Sequence, residues 1–243
     1  GAMWLGLAGG LVKSGHLVLS PDNRGAGHSD APLGPYSMGM LAADTAAVMD
    51  HAGVERALVV GISLGGMIAQ RLALDHGPRV AGLVLAATTC GFPHGRPVPP
   101  QALGVMIRSL SGSPAAIRRV RALLVHPDSL ARNRELFRVW DRTLGLTPPR
   151  PAGFWGQLAA AAGHHAGLSL GRITCPTEVI TGADDAIIPP LNSHILARRI
   201  PDAHLTLVPR AGHAFPLEHP AALPEAIKRV EARLFPGPRA RVG

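Results

Sequence analysis

The spacing of apolar residues changes period several times along the chain, and each change marks an element. Trp4, Leu7, Ala8 and Leu11 recur at helical spacing and predict a helix over residues 4–14, ending near Gly15. The apolar run at 16–20 reads as a short buried strand. Turn formers then crowd residues 21–30: Pro21, Asp22, Asn23, Gly25 and Gly27. A helix is predicted over 36–52, with Ser37 as its N-cap and Gly53 as its stop. Continuous apolar runs at 57–60 and 80–86 read as buried strands, with a small-residue helix over 63–75 between them. Strand alternating with helix predicts an α/β fold whose mostly parallel sheet is covered on both faces.

That alternation stops after Phe92. Pro93, Pro97, Pro99 and Pro100 form a cluster of breakers, and helical patterns follow at 101–110, 114–125, 130–144 and 153–166. The organisation expected is therefore a core made of 1–92 and 166–243, with 93–165 inserted as a helical cap or lid. The core pattern resumes as a strand at 177–181, a helix at 193–200, a strand at 204–208 and a closing helix at 220–235. Residues 236–243 read as a polar tail.

Composition narrows the class. With 243 residues, 47% hydrophobic content and a mean hydropathy of +0.19, the chain suits one globular unit. Aromatic residues make up only 4%, so Leu, Val, Ile and Ala must fill the core. No apolar run approaches the roughly 18 residues of a membrane span, and no membrane association is expected. Of the net charge of +8, residues 93–150 alone carry +7, from ten Arg against Asp128, Glu135 and Asp141. Nucleic-acid binding is not expected, because neither aromatic interleaving nor a binding motif accompanies the arginines. Cys90 and Cys175 fit no metal or redox spacing. They read as free core thiols, in keeping with a reducing, cytoplasmic setting. No metal and no cofactor is expected. Nothing in the sequence sets an oligomeric state.

Candidate chemistry sits where strands end. The run 57–60 leads into Gly61-Ile62-Ser63-Leu64-Gly65-Gly66, a strand, sharp turn and helix with a serine at the apex. The glycines relieve crowding around a strained Ser63, and the helix start favours negative charge beside its hydroxyl. A serine hydroxyl needs a base within hydrogen-bond reach, itself held by an acid. Asp184 and Asp185 follow the strand at 177–181, and His213 follows the strand at 204–208. Serine, acid, histidine is the chain order of the α/β-hydrolases.

Four motifs together resemble that superfamily: the serine turn, Gly182-Ala183-Asp184-Asp185 with Pro189, Gly212-His213, and the Asp22, Arg24, Gly25, Gly27, Ser29 loop. The branch most similar holds small esterases, enol-lactonases, antibiotic methylesterases and haloperoxidase-like enzymes without a cofactor. The resemblance implies Ser63 as nucleophile, His213 as base and Asp185, three residues after Gly182 and four before Pro189, as the acid. It implies the backbone N–H of Leu64 as one oxyanion donor. The second donor of the family comes from a loop after the third strand, and the first three strands have no counterpart here. The resemblance thus implies an N-terminally truncated chain, unstable or inactive as it stands, of a parent that is an enzyme. The activity implied is a serine hydrolase acting on a small-molecule carboxylic ester or lactone through an acyl-enzyme. A non-catalytic ligand-binding protein of this fold and a perhydrolase without a cofactor are the alternatives left open.

Overall fold

The structure is a computed structural model that describes residues 5–132, 137 and 150–236. Its centre is a four-stranded parallel sheet in the order β1-β2-β3-β4, made of β1 (Ala57–Ile62), β2 (Val80–Ala86), β3 (Thr177–Gly182) and β4 (Ala203–Val208). The register runs from Leu58 opposite Gly82 to Ile62 opposite Ala86, and from Thr177 opposite Ala203 to Gly182 opposite Val208.

β1 and β2 are apolar on both faces because helices cover both, whereas β3 also buries Thr177, Glu178 and Thr181. Leu83, Leu85 and Val179 pack into a layer with Ala46 and Met49 of α2 (Met38–His51), Leu72 of α3 (Leu64–Asp75) and Leu196. The alternate residues Val84, Ala86, Ile180 and Val208 face Leu223, Ala226, Ile227 and Val230, with Leu7 and Leu11 of α1 (Leu5–Lys13) at the margin. The helix boundaries have local causes. Ser37 caps α2 by accepting the N–H of Met40 at 3.2 Å, and Gly53 follows with φ +66°, which needs no side chain.

Between β2 and β3 the chain makes α4 (Pro100–Arg108), α5 (Pro114–Leu124), α6 (Pro127–Arg132) and α7 (Pro151–Ala162). Proline stands at the first turn of α4, α5 and α7, where a missing N–H costs nothing. Most of the helix expected over 130–144 lies outside the described residues. The chain then continues through β3, α8 (Leu191–Arg199), β4, α9 (Phe215–Glu218) and α10 (Ala222–Leu234). No helix among the described residues is long and apolar enough to cross a membrane.

One element departs from the sequence reading. Residues 16–20 are not a strand, and Leu17 is 74% exposed. A strand needs a ladder partner, and the β1 edge stands across a cavity of about 660 Å³ from Val18 and Leu19. Leu7 and Leu11 line that cavity on one side and Val48 and Met49 on the other. Among the described residues β1 pairs only with β2, so its outer edge is open. His16 bonds instead to the carbonyl of Leu11 at 3.1 Å and to the Glu231 carboxylate at 2.6 Å.

Candidate active site

Ser63 sits between β1 and α3 with φ 54° and ψ −118°, a conformation that costs energy for any residue with a Cβ. Hydrogen bonds on both sides of the residue hold it there. Its N–H donates to the carbonyl of Ala86 at 2.9 Å, and its own carbonyl accepts from Gly66 N–H at 3.0 Å and from the Thr88 hydroxyl at 2.7 Å. The flanking glycines differ in need. A Cβ on Gly61 would run into the carbonyl of Gly65, and one on Gly66 would lie 2.6 Å from the Cβ of Thr88. A Cβ on Gly65 would meet nothing within 4 Å. So Gly61 and Gly66 permit the tight strand–helix crossing, and Gly65, expected to matter equally, does not. Leu64 opens α3, so its N–H has no carbonyl one turn earlier to bond, and the helix dipole adds positive potential at the apex.

The two aspartates after β3 separate cleanly. The side chain of Asp184 is half exposed, and its N–H donates to Ala211 O at 2.9 Å. Asp185 is 5% exposed. Its Oδ1 accepts the N–H groups of Ile187 and Ile188, both at 2.8 Å, and its Oδ2 lies 2.8 Å from Nδ1 of His213. A buried carboxylate is tolerated when its lone pairs are filled this way. A carboxylate only accepts, so Nδ1 carries the proton and Nε2 is left as the basic nitrogen. His213 is 7% exposed. The structure therefore joins His213 to Asp185 directly. No described hydrogen bond links the Ser63 hydroxyl to the imidazole. Ser63, Leu64 and Gly65 also line the end of the cavity beside β1.

The Arg24 loop is built on ion pairing and close backbone packing. Arg24 forks onto Asp44 of α2 at 2.6 and 2.5 Å, and its carbonyl accepts from Gln157 of α7 at 2.9 Å. A Cβ on Gly25 would lie 2.5 Å from the Cα of Gly153, which explains glycine at both contacts. Cys90 is buried and Cys175 half-buried, both unpaired, and burial pushes both thiols up. No cluster of three metal-ligating side chains occurs among the described residues.

Three polar groups near the site carried no pattern that periodicity could reveal. Thr88 holds the serine's carbonyl. Gln70, fully buried in α3, donates to the carbonyls of Gly66 and Thr89. Glu218 accepts the N–H of Gly212. For Gln70 a usable signal existed: a polar residue on the buried face of an apolar helix needs a partner.

Comparison with known proteins agrees with this architecture. The model of the alpha/beta hydrolase fold family matches residues 1–220. The chain belongs to that family and is an enzyme of the hydrolase type. It is 33% identical to the rhodomycin D methylesterase DnrP of Streptomyces peucetius, over 85% of this chain and 78% of that protein. It is 33% identical to a poly(3-hydroxyalkanoate) depolymerase of Ectopseudomonas oleovorans, over 82% of this chain and 69% of that protein. Among solved structures, a thermophilic esterase from Thermogutta terrifontis superposes with a TM-score of 0.75 at 29% identity, covering 88% of this chain and 79% of the esterase.

Proposed function

We propose that the chain is a serine hydrolase that cleaves a carboxylic ester or lactone through an acyl-enzyme. The observation that carries this is the buried Asp185–His213 pair set after two strands of the sheet whose edge strand delivers Ser63 at a strained apex. Asp185 keeps the proton on Nδ1, so Nε2 of His213 takes the Ser63 proton as the hydroxyl oxygen attacks the carbonyl carbon. The tetrahedral oxyanion is met by the N–H of Leu64 at the positive end of α3. His213 then gives the proton to the leaving alkoxide, and the same base activates a water that releases the acid. The names of the relatives, a methylesterase and a polyester depolymerase, support an ester carbonyl as the group attacked. In this reading 93–165 is the lid over the site and the remainder is the hydrolase core.

The test is turnover of a p-nitrophenyl ester together with covalent labelling by a fluorophosphonate. Ser63→Ala abolishes both. Labelling at another residue, or turnover unchanged in Ser63→Ala, refutes the assignment.

A further inference from the structure

The residues on either side of His213 are tied to the end of α5 and the segment that follows it. On one side of His213, the N–H of Gly212 donates to Oε2 of Glu218 at 2.7 Å. The other oxygen of that carboxylate, Oε1, accepts the N–H of His126 at 2.8 Å. On the other side of His213, the N–H of Ala214 donates to the carbonyl of Leu124 at 2.7 Å. Arg210, two residues before Gly212, is ion-paired with Asp128 of α6. Packing is equally close: a Cβ on Gly212 would stand 2.6 Å from the Leu124 carbonyl oxygen and 2.9 Å from the Cα of Val125. Segment 124–128 and the histidine loop are thus one unit, although they are far apart in sequence.

Within that unit Glu218 is the side chain that bonds both segments, at Gly212 of the histidine loop and at His126 after α5. A carboxylate accepting two backbone N–H groups makes two charge-assisted bonds, shorter and stronger than neutral ones. Its chain position also matters. Glu218 ends α9, which begins directly after Ala214, so the carboxylate folds back over the loop it belongs to.

We propose that Glu218 is a positioning residue for His213. By clamping Gly212 N–H to His126 N–H, it fixes where the imidazole stands relative to Asp185 and Ser63. This inference rests on the serine-hydrolase reading. Glu218 touches no reacting atom, and it acts through the backbone of the residue before His213. Placement within a fraction of an ångström matters, because a shift of about 1 Å in a catalytic group can lower a rate about a hundredfold.

Three variants and two readouts test the clamp. Glu218→Gln keeps the shape but sets an NH2 group against one of the two N–H donors. Glu218→Ala removes both acceptors. Leu196→Ala, in the opposite core layer, lowers stability without touching the loop. For the two Glu218 variants, kcat on a p-nitrophenyl ester is expected to fall about tenfold or more. KM is expected to hold within about twofold, since no substrate contact is removed. The downfield proton resonance of His213 Nδ1–H on Asp185 is expected to broaden or vanish. Leu196→Ala keeps both kcat and the resonance. The resonance is read with or without turnover, and Glu218→Gln carries the test if Glu218→Ala does not fold. Wild-type kcat and an intact resonance in Glu218→Gln overturn the clamp, as does an equal loss of kcat in Leu196→Ala. Turnover surviving in both Ser63→Ala and His213→Ala overturns the serine-hydrolase reading instead.

Discussion

Acidification should weaken this fold through one histidine. His164 is 3% exposed, and its Nε2 stands 3.4 Å from Oε1 of Gln70. The Gln70 amide in turn bonds the carbonyls of Gly66, one helical turn along α3, and Thr89. Burial, with smaller repulsion from His165 and Arg71, lowers the His164 pKa from the ordinary 6.5 to about 4. In the unfolded chain the ring protonates near 6.5, so between pH 6.5 and about 4 only the unfolded state holds this proton. The stability tied to neutral His164 is therefore complete above pH 6.5 and is lost as pH falls through that window. At about 1.4 kcal/mol for each pH unit, the gap between 6.5 and about 4 amounts to about 3 kcal/mol. That is a large share of the roughly 5–15 kcal/mol that holds a domain together. Urea unfolding of wild type and His164→Gln at pH 7 and pH 4 isolates the effect, because other titrating groups cancel in the difference. At pH 7 the variant is expected to be the less stable by about 1–3 kcal/mol, from lost packing and the altered contact to Gln70. At pH 4 most of that deficit disappears or reverses. Parallel decline of the two proteins, or a His164 ring that titrates near 6.5 by NMR, refutes the reasoning.

Two further outcomes follow from the site. Asp185→Asn keeps the fold but presents a donor to His213 and selects the wrong ring tautomer, so kcat should fall about 10⁴-fold. Steady-state kinetics with a loss of less than about tenfold would contradict the role given to Asp185. Gly61→Ala should be destabilised by about 1–3 kcal/mol or more, because its methyl meets the Gly65 carbonyl. Gly65→Ala, with open space at its Cβ, should melt within a few degrees of wild type. Calorimetry separates the pair, and equal melting temperatures would refute the steric account.

What was legible in the sequence was whatever depends on periodic burial or local chemistry. The run from Val80 to Ala86 is apolar at every position because helices cover both faces of β2, and the strand has those bounds. Ser37 was readable as a cap because capping needs only the next turn of helix. The apex at Ser63 was readable because Gly61 answers to the backbone of Gly65 only four residues away, whereas the need for Gly66 comes from the side chain of Thr88, beyond local sequence. Residues 16–20 misled because an apolar run states a wish to be buried and says nothing of a ladder partner. Periodicity did not separate Asp184 from Asp185, and the choice came from spacing in a family motif. Their different burial depends on how the loop after β3 turns against His213. Glu218 was invisible because one of its partners, His126, lies 92 residues away and offers only a backbone N–H, which every residue but proline has.

The open side of β1 puts assembly and chemistry on the same wall. Among the described residues the outer backbone groups of β1 have no ladder partner, and such a row is a template for an extended chain from the same molecule, from a sibling or from a growing aggregate. Here that row ends at Ile62, so a mating strand would extend toward Ser63. Its far end would then change how much water, and which dipoles, surround the Ser63 hydroxyl. Self-association and the surroundings of Ser63 thus meet along one seam.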